Sequence, residues 1–202
     1  MEDVTLNAQE RQIVKVEILS WHETRWFVHG LTVMPDHAHV LATPLDESLR
    51  RHYSLSGILK SVKGRSSREV NRLRRRRGTL WQEESPDRIV RDEREFHAKF
   101  EYILSNAVKE GLVADGYEYD GFWCAGMPLP EGLPQHSSAA RPADLIPAGP
   151  LIKRRRRLPH WQFAGSTYFI TLRLRPKVTT QGGEAEAGWV GDRGRTEVRP
   201  TE

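Results

Sequence analysis

The chain has 202 residues, 38% of them apolar, with a formal net charge of +4 and a single cysteine, Cys124. That length allows one ordinary domain plus tails, with roughly two-thirds of it expected to fold. One cysteine excludes an intrachain disulfide framework and a cysteine-rich zinc site. No apolar run approaches membrane-spanning length and the start lacks signal-peptide order, so a soluble, cytoplasmic protein is expected.

Residues 7 to 21 read as a helix, with Asn7 and Glu10 at capping-box spacing and Ile13, Val14, Ile18 and Trp21 forming an apolar stripe. Residues 25 to 34 and 37 to 43 are rich in strand formers and are separated by Pro35-Asp36, which predicts a hairpin. From Ser54 to Leu73 the positions Leu55, Ile58, Leu59, Val62, Val70 and Leu73 recur at helical spacing beneath a basic outer face. A short edge strand over 86 to 91 and a helix from Asp92 to Glu110, opened by a second capping box (Asp92, Glu95) and ended by Gly111, follow. Residues 124 to 153 read as a linker rich in Pro, Gly, Ala and Ser. Residues 166 to 174 read as a strand within a 154 to 178 segment, and 179 to 202 as a disordered tail.

Two features carry chemistry. His37 and His39, one residue apart in a strand, project from one face and could present two imidazoles to one divalent ion; the plain alternative is one half-exposed histidine and one satisfied by the backbone. Tyr102 and Asn106 stand four apart on one face of the 92 to 110 helix; the plain alternative for the tyrosine is a ring at the core boundary with its hydroxyl in water.

The segments VMPDHAHVLATPL, LWQEESPDRIVRDEREF and EYILSNAVKEGLV, in order within residues 5 to 123, resemble the Y1 transposases. These are single-tyrosine HUH enzymes, and the likeness is to their repeat-associated branch, related to the insertion-sequence 200/605 group. The resemblance implies a metal-dependent single-stranded DNA endonuclease and strand transferase in a prokaryotic cytoplasm, near the nucleoid, acting at hairpin-forming repeats through a 5′-phosphotyrosine intermediate. Tyr102 matches the nucleophile, His37 and His39 the metal-binding pair, and Asn106 the polar residue that completes the metal site; Ala107 stands where the family usually has proline. Magnesium or manganese suits two imidazoles, an amide oxygen, water and phosphate. The alternative is a catalytically silent hairpin-binding module descended from such an enzyme.

Single-stranded or hairpin DNA is the expected partner. Lys60, Lys63, Arg65, Arg68, Arg72, Arg74 and Arg75 would supply phosphate contacts from the basic helix and its end. Trp81 is a candidate stacking platform or, equally, a buried staple, and Arg154, Arg155, Arg156 and Arg157 form a second basic segment. The family fold is α+β, a ferredoxin-like antiparallel sheet with helices on one face. Here the HUH domain, residues 1 to 123, lacks the usual first strand, and the segment that resembles it lies at 154 to 174, as in a circular permutation. The roughly forty residues between Trp123 and Ser166 would span about 35 Å as a flexible chain. The strand could therefore return in cis, giving a monomer, or enter a second subunit, giving a strand-swapped homodimer.

Overall fold

The computed structural model describes residues 5 to 48, 51 to 131, 133 and 165 to 176. They form an α+β fold: one five-stranded antiparallel sheet, a small two-stranded ribbon and three helices. Helix α1 (Ala8–Leu19) leads into β1 (Trp26–Val33) and β2 (His37–Pro44). A ribbon of β3 (Asp46–Ser48) and β4 (Arg51–His52) precedes α2 (Leu55–Leu73). Then come β5 (Asp87–Ile89), α3 (Glu93–Lys109), a 3-10 turn at Gly116–Glu118, β6 (Phe122–Cys124) and β7 (Tyr168–Arg173). The sheet order is β5-β7-β2-β1-β6, every neighbouring pair antiparallel.

Local chemistry sets the helix starts. Asn7 and Glu10 form the expected capping box, each side chain accepting from the other's backbone N–H, a device that stabilises a helix end by about 1 kcal/mol. At α3 only half of the expected box forms: Asp92 accepts from the Glu95 N–H, while the Glu95 carboxylate reaches back to the N–H of Arg91. Gly111, at φ 68°, closes that helix with a left-handed residue.

The sheet separates two cores. On one side Ala38, Val40 and Ala42 of β2 and Tyr168, Ile170 and Leu172 of β7 pack with α1 and α2, through Val14, Ile18, Ile58, Val62 and Val70. A register shift between Val28 and Gly30 lets Trp26, Val28, Leu31 and Val33 all join that core, although strict alternation would send two of them away. On the other side Leu41 packs with Ile103 and Ala107 of α3, and the Phe100 ring sits so close to Gly30 that an added Cβ would lie 3.2 Å from it.

The expectation of helices on one face therefore holds for α1 and α2 but not for α3, which covers the opposite face. The apolar stripe of α3 had to bury somewhere, and the first face was already filled. Two further expectations need correction. Leu73 is 41% exposed rather than part of the α2 stripe. Phe122–Cys124, placed at the linker boundary, extends the sheet as β6 on β1. The 166 to 174 strand lies inside the sheet, as expected, where β7 pairs with β2 on one edge and β5 on the other. Most of the expected linker, Arg154 to Arg157 and the tail from 179 lie outside the described residues.

Candidate active site

Strand alternation decides which side chains meet α3. With Ala38, Val40 and Ala42 committed to the α1/α2 core, His37 and His39 point to the α3 layer. Their rings are 4.7 Å apart, and the His39 ring is 5.0 Å from that of Tyr102. Four of the expected site residues lie on these two elements, and His39 makes ring contact with both His37 and, across the sheet–helix boundary, Tyr102.

Each imidazole is held at Nδ1. His37 Nδ1 lies 2.6 Å from Asp36 Oδ1; a carboxylate can only accept, so Nδ1 is the donor of this pair. His39 Nδ1 lies 3.0 Å from the Thr171 hydroxyl of β7, and its ring stacks on Phe169 of the same strand at 5.2 Å. His39 is 5% exposed, and its Nε2 has no hydrogen-bond partner among the described residues. Burial, reinforced by the charges of His37, Arg173 and Lys99 against the opposing Asp36, lowers its pKa to about 3, so the ring is neutral at pH 7. A neutral imidazole fixed at Nδ1 with Nε2 vacant is the form that ligates metals.

Asn106 follows Tyr102 by one turn on α3 and is buried beside Ile103 and Ala107. Its Oδ1 is a second buried polar atom without a partner among the described residues. An unsatisfied buried acceptor costs about 1–3 kcal/mol, and two such atoms on the elements that also carry His37 and Tyr102 fit a site completed by something with positive charge. His37 Nε2, His39 Nε2 and Asn106 Oδ1 are suitable donors for a divalent cation. Among the described residues no group of three or more His, Cys, Asp or Glu is placed to hold one.

Tyr102 is 40% exposed and opens onto a cleft of about 690 Å³ shared with His37, His39, Asp36, Gln82, Glu110 and Arg173. Lys109 Nζ stands 5.2 Å from the Tyr102 ring centre and Lys99 Nζ 4.7 Å from that of Phe169.

The basic helix does not face this cleft, because α2 packs on the far side of the sheet. Lys60, Arg68 and Arg75 are exposed there. Lys63 donates to the carbonyls of Gln82 and Glu83, Arg65 pairs with Glu17, Arg72 with Glu69, and Arg74 with buried Glu10. Burial alone would raise the Glu10 carboxyl, but Arg74 and the Asn7 N–H hold it below the usual range. Trp81 is 4% exposed and donates to Ser66 Oγ at 2.9 Å, so it is the staple and not a platform for bases. Thr171, Phe169, Arg173 and Asp36 complete the site without having been singled out in the sequence. The 166 to 174 alternation put Phe169, Thr171 and Arg173 on one face, but their meaning depended on the strand's partner.

No family model, curated protein or solved structure matches this chain. Among the described residues no helix is long and apolar enough to cross a membrane.

Proposed function

We propose that this chain is a metal-dependent endonuclease and strand transferase of the single-tyrosine HUH type, cleaving and rejoining single-stranded DNA beside hairpins. The observation that carries the reading is the pair of buried polar atoms without a partner among the described residues, His39 Nε2 and Asn106 Oδ1, on elements that bring an exposed tyrosine ring within 5.0 Å of His39.

In this reading the Tyr102 oxygen attacks a backbone phosphorus and the P–O3′ bond breaks. The phenolic proton passes to solvent, the departing 3′ oxygen takes a proton from water, and the 5′ phosphate is left on Tyr102. A phenol is a weak nucleophile at neutral pH, and the Lys109 ammonium stands 5.2 Å from the ring centre. His37, His39 and Asn106 would hold a magnesium or manganese ion, which when bound supplies Lewis-acid polarisation of the phosphate. The bond energy stays in the phosphotyrosine, so rejoining by a 3′ hydroxyl needs no nucleotide cofactor.

The same reading takes β7 as the displaced first strand of a ferredoxin-like sheet. Starting the count at β7 gives β7-α1-β1-β2-α2-β5, a βαββαβ sequence whose strands occupy the order β5-β7-β2-β1.

The test is incubation of the chain with hairpin-flanked single strands in magnesium, manganese or chelator, followed by denaturing electrophoresis. A metal-dependent covalent adduct that Tyr102→Phe abolishes is expected. Hairpin binding without adduct in any metal would select the silent binding module instead.

A further inference from the structure

Six of the described arginines have acidic partners: Arg11 with Asp120, Arg65 with Glu17, Arg72 with Glu69, Arg74 with Glu10, and Arg88 and Arg91 with Glu95. Arg173 is different. It is the direct cross-strand neighbour of His37, lies on the β7 face that also presents Thr171 and Phe169 to His39, and is exposed between buried Leu172 and Leu174. Its side chain lines the cleft into which Tyr102 opens, and no described carboxylate pairs with it.

A cation there opposes any second cation beside it. Its field already acts on His39, and it would also repel a metal ion held by the histidines. The arrangement is favourable only when an anion joins them and neutralises both. A guanidinium offers parallel N–H donors that match two oxygens of one phosphate, an interaction stronger than a neutral hydrogen bond and directional in a way an ammonium is not.

We propose that Arg173 is a substrate-binding residue that seats a backbone phosphate of the single strand against the histidine pair. This rests on the functional reading given above. Lys99 and Lys109 flank the same face of α3 and steer the strand toward it, while Arg173 fixes its position. The DNA path therefore crosses the α3 side of the sheet, opposite the basic helix.

The experiment measures anisotropy of a labelled, hairpin-flanked single strand with the full chain carrying Tyr102→Phe, with and without manganese, across a salt series. Adding Arg173→Gln should weaken binding about tenfold and flatten the log–log salt slope by about 0.7, the value for one phosphate contact on a single strand. Arg173→Lys should recover part of the affinity. In the chain with Tyr102 intact, Arg173→Gln should slow adduct formation while the thermal midpoint holds. Arg94→Gln, an exposed change two turns before Tyr102 on α3, serves as the comparison. An unchanged affinity and slope in Arg173→Gln, or an equal loss in Arg94→Gln, overturns the inference. If the unsubstituted chain binds but never forms adduct, the reaction reading fails and the anisotropy series still decides on Arg173. If it binds no single strand, both fail.

Discussion

The Thr171 hydroxyl sits 3.0 Å from Nδ1 of His39 although 132 residues separate them in the chain. The contact fixes the ring that would otherwise pivot about its stem, and it is made only because β7 lies in register beside β2. Thr171→Val keeps the shape and removes the bond. Manganese affinity, read by electron paramagnetic resonance, should fall at least tenfold, as for other partners of metal-bound histidines, and Thr171→Ser should restore it. Equal affinity in the valine variant would show that the hydroxyl only packs.

Tyr102→Phe removes one exposed hydroxyl. Stability should stay within about 0.5 kcal/mol, the usual range for surface changes, and single-strand binding should persist while the covalent adduct disappears. Undiminished adduct would exclude Tyr102 as the nucleophile.

The two histidines should separate in their effects. His37→Ala should cost metal affinity and adduct with little stability, since that ring is half-buried. His39→Ala should cost both, because it empties a buried position stacked on Phe169. Asn106→Leu removes an unpaired buried oxygen, so in chelator the variant should be at least as stable as the parent while losing metal affinity more mildly than the histidine variants. Calorimetry with and without manganese checks all three, and a strongly destabilised Asn106→Leu would mean that its amide already has a partner.

Acid should weaken the fold before carboxylates titrate. Burial lowers His29 to about 4 and His39 to about 3, against 6.5 unfolded. Between those values the unfolded chain binds protons that the folded chain does not, so stability is intact above pH 6.5 and falls as pH drops toward 4, by up to about 3 kcal/mol for His29. Urea unfolding at pH 7 and 4.5 measures this, and His29→Gln should reduce the difference. No change between the two pH values would contradict the neutral burial of these rings.

Ending the chain after Pro150 deletes a strand from between β2 and β5. An insoluble or inactive product is expected, because the backbone groups of β2 lose their partners along one edge. A soluble truncated chain that still forms the Tyr102 adduct would contradict the structural role given to β7.

The helices, the hairpin and the strand at 166 to 174 were legible because each rests on local chemistry: Asn7 with Glu10, the break at Pro35-Asp36, the alternation in STYFITLRL. The His37, His39 and Tyr102 grouping was legible through spacing and resemblance, and the structure brings those rings together. What could not be read was tertiary. Nothing near Trp81 in sequence announces that Ser66 waits for its indole N–H. Nothing in the arginines of α2 says that they face away from the cleft, since an amphipathic pattern fixes which side of a helix is wet but not which layer it joins. Thr171 and Arg173 acquire meaning only from the register His37↔Arg173 and His39↔Thr171.

The position of β7 also imposes a schedule. On a ribosome, α1, the hairpin and α3 are all made before the strand that belongs beside His39, and the sheet stays open at its middle until Tyr168–Arg173 emerges. Pairing across so long a stretch of chain is slow to form. Until it does, His39 lacks its Thr171 tether and the cleft lacks Arg173, so the arrangement around His39 and Tyr102 is complete only after the chain has been made beyond residue 173 and that strand has left the ribosome.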